Sequence, residues 1–379
     1  MSQRSTREVV LPPPPPPEWR LRPAPESSAV QRLCSELSLP TSICALLVAR
    51  EVVEPDAAKH FLRPSLDDLH PPEAMPDMEE AVTRILAAVR SGEHILVHGD
   101  FDVDGVCGAA LLTRWLRRMG GHVTPFVPHR LRDGYDLGPA GLARARDSGA
   151  TLLVTCDTGI LAHDAVSSAQ AAGIDVIVTD HHTPGPELPP AVAVVNPNRP
   201  DSTYPEGTLS GAGVAFKLCQ ALAARAGIEK EELWPHLDIV ALATVADLVP
   251  LTGENRILVR FGLRFLACTK KVGLEALLQV SGVTGQSTIE AGQVGFILAP
   301  RINAVTYLTA MRGGIRLPVR VMFDRAGTVT KAQLRKRTGY PEVDTPVRAS
   351  LYRWRAGGKR LAEMDRPFQI DILLEIGGR

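Results

Sequence analysis

From His94 onward the chain alternates between two rhythms. HILVHG, HVTPFVP, TLLVTCD, IDVIVTD and AVAVVNP are short, almost continuously apolar runs rich in Val, Ile and Thr, the pattern of buried strands. Between the first four lie VCGAALLTRWLRRMGG, GPAGLARARDSG and AHDAVSSAQAAG, whose apolar residues recur at helical spacing. Alternating strands and helices, with the strands apolar on both faces, predict an α/β fold: a parallel sheet flanked by helices. After Gly211 the pattern turns helical, through GVAFKLCQALAARAG, HLDIVALATVADLVPL, RILVRFGLRFLAC and QVGFILAP. Before His94 stand the short amphipathic pieces AVQRLCSELSL, SICALLVAR and DAAKHFL, then the longer EEAVTRILAAVRSG. Two stretches lack a rhythm. One is the lead-in with six consecutive prolines; the other begins after Ala304. The expected organisation is a Pro-rich disordered lead-in over 1–27 and a helical region over 28–92. An α/β domain over 93–304 follows, with a helical part over 211–304, and then a basic remnant over 305–379.

Composition narrows the class. With 45% hydrophobic and 22% charged residues, a chain of 379 can bury a sizeable core. No run reaches the roughly 18 apolar residues of a membrane span, and the N-terminus has no apolar stretch of signal-peptide length, so a cytoplasmic location is expected. Six cysteines without C-x-x-C spacing read as reduced core thiols. The net charge is zero, but it is unevenly spread. From Arg301 onward there are 16 Lys and Arg against 7 Asp and Glu, which leaves 26 against 35 for residues 1–300. That asymmetry predicts an acidic body able to hold cations beside a tail that faces a polyanion; a merely solvated Arg-rich surface is the alternative.

The unusual polar residues stand where strands end, and ligands of parallel sheets gather at the carboxyl ends of strands. The first strand runs into Asp100, Asp102 and Asp104, the third into Asp157, and the fourth into Asp180, His181 and His182, while Asp247 breaks an apolar run. Each has a bland explanation. D-x-D-x-D-G opens an EF-hand loop, but the twelfth position from Asp100 is Leu111 where a Glu is required. Asp157 could cap a helix, either histidine could be an ordinary surface residue, and Asp247 could be hydrogen-bonded inside a helical hairpin. All would have to hold at one edge of one sheet. Carboxylates and imidazoles without cysteine make a hard, oxygen-rich site suited to Mn²⁺ or Mg²⁺. More than four candidate ligands predict two ions, the usual device for phosphoester hydrolysis at a separation of about 3.5–4 Å.

HGDFDVDGV, TCDTG, VTDHHTP and VADLVP resemble the four motifs of the DHH phosphoesterase superfamily, and their order and spacing are similar to those of the RecJ family within it. The resemblance covers about residues 17–304, including WRLRPAP, FLRPSLDDLHPPEAMPDM and GFILAPRINA. It implies a metal-dependent 5'→3' exonuclease acting on single-stranded DNA in repair and recombination, monomeric, with repair proteins as further partners. Carried over, His98, Asp102 and Asp157 would hold one ion, and Asp104, Asp157, His181 and Asp247 the other, with Asp157 bridging. Asp100 would be a supporting acid. His182 would face the scissile phosphate, and Arg301 and Asn303 would lie near the DNA backbone. After Asn303 the sequence departs from the family, and the glycine-glycine-histidine signature of its second domain occurs nowhere in the chain, as in a truncated or degenerate copy. Two other readings stay open: a catalytically weak or non-catalytic binding protein, and a phosphodiesterase for short oligonucleotides or cyclic dinucleotides.

Overall fold

The computed structural model describes residues 23–129, 132–308, 315–323, 329–334 and 368–376. They divide into two compact units, up to Arg63 and from Pro64 onward. The first contains α1 (Ser27–Leu37), α2 (Thr41–Val48) and α3 (Pro55–Leu62), packed around Leu33, Cys44, Leu47 and Ala58. Ser27 already opens α1, and the lead-in through Arg22 lies outside the described residues.

In the second unit α4 (Met78–Ser91) buries Met78, Ala81, Val82, Ile85 and Ala88 in the same core as the sheet's first strand. The compact division therefore falls at Arg63, whereas the change of rhythm suggested residue 92. An amphipathic helix shows the same apolar stripe whichever core receives it. The strands β1 (His94–Gly99), β2 (His122–Phe126), β3 (Leu152–Cys156), β4 (Asp175–Thr179) and β5 (Ala193–Val195) pair in parallel, in the order β2-β1-β3-β4-β5. Helices α5 (Val103–Arg118), α6 (Pro139–Ser148) and α7 (His163–Ala171) form the crossovers, as the alternating rhythm predicts. The chain steps outward from β1 to β2 and resumes with β3 on the other side of β1. Such a reversal opens a crevice beyond the carboxyl ends of β1 and β3.

Helices α8 (Gly211–Ala226), α9 (Leu237–Ala246), α10 (Gly253–Ala267) and α11 (Val272–Val280) complete the core. Every residue of α9 from Leu237 to Val245 is buried, so it reads as uniformly apolar rather than striped. A fully buried ion pair ties α8 to α10, with Lys217 Nζ 2.9 Å from Glu254 Oε1. Lys217 also donates to the His70 carbonyl (2.5 Å), and Glu254 accepts from His70 N–H (2.8 Å) and the Tyr204 hydroxyl. The short α12 (Ala291–Gln293) passes through a π-helical turn, Val294–Leu298, into α13 (Ala299–Leu308).

Beyond Ala304, where no period was read, a separate antiparallel sheet places β6 (Ile315–Phe323) between β7 (Val329–Leu334) and β8 (Phe368–Ile376). IRLPVRVMF does alternate apolar and other residues, but Pro318 argues against a strand and the signal vanishes when averaged over the long stretch around it. Cys44, Cys107, Cys156 and Cys219 are buried thiols as expected, whereas Cys34 is half-buried and Cys268 exposed. Among the described residues no helix is long and apolar enough to cross a membrane.

Candidate metal centre

The last residues of β1 and β3, Gly99 and Cys156, are register partners, and Asp100 N–H donates to the Cys156 carbonyl (3.2 Å). Past that point β1 delivers Asp100, Asp102 and Asp104 into the crevice, and β3 delivers Asp157. From β4 come Asp180, His181 and His182. Asp247 does not interrupt α9 but follows it as the C-cap. A carboxylate at the negative end of a helix dipole is unfavourable unless a cation lies nearby.

Three sets of side chains bring ligand atoms within 4.8 Å of one another: Asp100, Asp102 and Asp157; Asp104, His181 and Asp247; Asp157, His181 and His182. His181 is the hub, its Nε2 standing 3.0 Å from Asp157 Oδ1, 3.7 Å from Asp247 Oδ2 and 3.8 Å from Asp104 Oδ2. Although close, Asp157 Oδ1 and His181 Nε2 are not aligned as a hydrogen bond, and Asp157 Oδ1 has no hydrogen-bond partner. Of the expected set of Asp104, Asp157, His181 and Asp247, three group together, and Asp157 adjoins them through His181. The other expected set changes membership: Asp100, placed in a supporting role by resemblance, sits with Asp102 and Asp157, and His98 does not join them. His98 is buried against α6, where Gly141 makes room for it; a Cβ there would stand 2.8 Å from Nε2. Neither of its ring nitrogens has a partner.

Burial pushes the carboxyl of Asp100 up to about 7. It pushes Asp104 to about 8 and Asp247 to about 6, with the neighbouring Asp247 and Asp102 carboxylates adding to each in turn. Asp157 is raised well above the usual carboxylate range by burial and by Asp104. The hydrogen bond to Asp180 raises His182 to about 9, and burial lowers His98 to about 4. A group of acids so destabilised in their charged forms, with Asp100 Oδ1, Asp157 Oδ1 and both His98 nitrogens buried and unpartnered, fits hard divalent cations.

The backbone is arranged around these groups. Asp157 adopts φ 63°, in the left-handed region, and a Cβ on Gly211 would lie 2.4 Å from its Cβ, so only glycine fits there. Gly211 and Ala212, opening α8, donate their N–H groups to Asp104 at 2.6 and 2.8 Å. Asp102 has a second task unread in the sequence: it caps α5, accepting from Asp104 N–H (2.9 Å) and Gly105 N–H (3.0 Å). Asp157 caps nothing; Ala162 stands at the N-terminus of α7.

Other residues gain roles the sequence did not disclose. Asp180 Oδ1 accepts from His181 N–H (2.7 Å), His182 N–H (3.1 Å) and His182 Nδ1 (2.7 Å), while Oδ2 accepts from Ile160 N–H (3.0 Å). Asp136, at φ 69°, ties the loop before α6 to the Asp157 turn through bonds from Thr158 Oγ1 (2.8 Å) and Gly159 N–H (2.9 Å). Nothing in RDGYDLG beyond its turn residues signals this. Its neighbour Tyr135 is 61% exposed and packs edge-on to Phe101 (5.9 Å). Arg301 and Asn303 lie on α13. Arg301 donates to the Ile297 carbonyl (2.6 Å) and lines an apolar groove of about 690 Å³ with Arg114, Leu242 and Leu277.

Residues 94–244, which carry the crossover switch point and these aspartates and histidines as far as His182, match the model described as the DHH family, N-terminal domain. Over a longer stretch, the chain is similar to RecJ. It is 39% identical over 288 residues to the single-stranded-DNA-specific exonuclease RecJ of Bacillus subtilis, covering 76% of this chain and 36% of the relative. It is 40% identical over 302 residues to RecJ of Dickeya dadantii, covering 76% and 52%. The crystal structure of Thermus thermophilus RecJ in complex with Mn²⁺ superimposes with a TM-score of 0.64 at 35% identity, over 77% of this chain and 41% of that one. The Mg²⁺ complex gives 0.57 at 32% identity, over 77% and 38%. The chain thus spans about a third to a half of the length of the curated relatives it matches.

Proposed function

We propose that this chain hydrolyses phosphodiester bonds of single-stranded DNA from the 5' end, with a pair of Mn²⁺ or Mg²⁺ ions held by Asp100, Asp102, Asp104, Asp157, His181 and Asp247. The observation that carries the reading is the convergence on Asp157 and His181 of buried and half-buried carboxylates with no lysine or arginine paired to them among the described residues. Bound divalent cations would supply charge neutralisation and a water acidic enough to attack phosphorus.

The chain's own residues do the rest. Asp180 engages Nδ1 of His182, which fixes the ring and leaves Nε2 as the nitrogen available to a phosphate oxygen. Asp102 and the N–H groups of Gly211 and Ala212 hold the acids in place without moving parts. The exposed ring of Tyr135, beside Asp136, offers a face on which a base can stack, which favours a nucleic acid over an inorganic phosphate. The relatives' description as single-stranded-DNA-specific exonucleases supports the same substrate.

The test is digestion of single-stranded DNA labelled separately at each end, with Mn²⁺ in excess. Early release of the 5' label as mononucleotide is expected, with the 3' label retained on shortening fragments. Equal loss of both labels, or no loss from folded protein, refutes the proposal.

A further inference from the structure

Leu248 follows Asp247 directly and carries two costs that packing does not offset. Its backbone stands at φ 61°, and its side chain is 86% exposed. The other described non-glycine residues at positive φ are Ser38, Glu51, Asp77, Asp136 and Asp157, all polar. A helix end that turns left-handed normally employs Gly or Asn, because a Cβ crowds the adjoining carbonyl there. Glycine at 248 would relieve the strain and remove the exposed apolar surface together. A bulky residue kept under strain, with no packing in return, points to a role in function.

Its address says which role. Asp247 N–H is fixed to the Ala243 carbonyl (2.9 Å), and Asp247 Oδ2 stands 3.7 Å from His181 Nε2. One residue further on, its Cα about 3.8 Å from that of Asp247, Leu248 is exposed beside this candidate ligand. Charged and polar groups around the centre suffice to hold a phosphate. An aliphatic side chain adds nothing to that, but it packs well on the flat face of a base.

Resting on the phosphodiesterase reading, we propose that Leu248 is a specificity-determining residue whose side chain packs against the nucleobase adjoining the scissile phosphate. It makes the centre prefer nucleotide chains to base-free phosphodiesters.

The experiment compares kcat/KM of the full chain with Mn²⁺ on two 5'-phosphorylated oligomers of equal length, one of ordinary nucleotides and one of base-free tetrahydrofuran sugars. Leu248→Asn tolerates the left-handed backbone but loses the apolar surface; Leu248→Met retains that surface. Wild type is expected to favour the base-bearing oligomer. In Leu248→Asn that preference should fall about tenfold, as the loss of much of one leucine's burial implies, chiefly through KM. Manganese content should be that of wild type and Tm no lower, and Leu248→Met should keep the preference within twofold. A Leu248→Asn preference within twofold of wild type overturns the assignment, as does a Leu248→Met loss equal to that of Leu248→Asn. Wild type that cuts base-bearing DNA without preferring it overturns the role of Leu248 alone, whereas wild type that cuts neither oligomer overturns the phosphodiesterase reading and this inference with it.

Discussion

Asp157 is held in the left-handed region, buried against Gly211, and placed so that its unpartnered oxygen meets His181. None of this serves packing, and in the absence of cations it costs stability. Asp157→Asn keeps the shape and tolerates the backbone, so it separates charge from structure. The expected outcome is a higher Tm in chelator, manganese affinity reduced by about 100-fold or more, and less than a tenth of wild-type turnover. Titration calorimetry and a thermal scan check it; a variant that binds manganese normally contradicts the bridging role. His182→Ala should behave differently, retaining manganese while turnover falls about 100-fold, the scale of a lost proton-handling or phosphate-contacting side chain. Equal metal loss in the two variants would remove the division of labour between them.

At the scale of elements, the site depends on where helices begin and end. The first turn of α8 grips Asp104, and α8 is in turn anchored to α10 by Lys217 and Glu254, both fully buried. Replacing one member of such a pair leaves the other uncompensated, so Lys217→Met should cost about 3–5 kcal/mol in urea unfolding, with Glu254→Gln added to it recovering a good part. A loss below about 1 kcal/mol would mean that water reaches the pair.

The elements around the site were largely legible in the sequence because both of their periods are strong: β1, β3 and β4 are buried on both faces, and α5 and α10 are striped. The acids at strand ends were legible for the same reason, since charge directly after an apolar strand is conspicuous. What stayed hidden depends on contacts distant in sequence. The bond of Asp104 to the start of α8 joins residues far apart in the chain, and the exclusion of His98 from the acid sets follows from its packing on α6. The unit boundary at Arg63 and the sheet after Ile315 were missed for other reasons: one amphipathic helix looks like another, and a proline masked an alternating strand.

At the scale of the molecule, the acidic body behaves as a site whose stability depends on its cations. An acid whose folded pKa is raised binds protons that the unfolded chain has already released, so stability falls as pH rises, from the unfolded value near 4 through the folded value. For Asp247, Asp100 and Asp104, at about 6, 7 and 8, that loss runs from about pH 4 upward, and above about pH 6.5 it is carried by Asp100 and Asp104. His182, raised to about 9, acts in the same direction there, whereas His98 and His181, lowered by burial, act the other way until the unfolded imidazole has lost its proton, just above about pH 6.5. In chelator the Tm should therefore drop from about pH 6.5 to about pH 8, and Mn²⁺ should restore more of it at the upper end of that interval than at the lower. A Tm that holds level or rises across this interval would contradict the electrostatic reading of the cluster.

The central claim is that these side chains surround a pair of divalent ions, and anomalous scattering from crystals soaked in Mn²⁺ tests it most directly. The account predicts two peaks about 3.5–4 Å apart with Asp157 between them, one beside Asp100 and Asp102 and the other beside Asp104, His181 and Asp247. A map without a peak in the crevice, or with peaks only at surface carboxylates elsewhere, would contradict it.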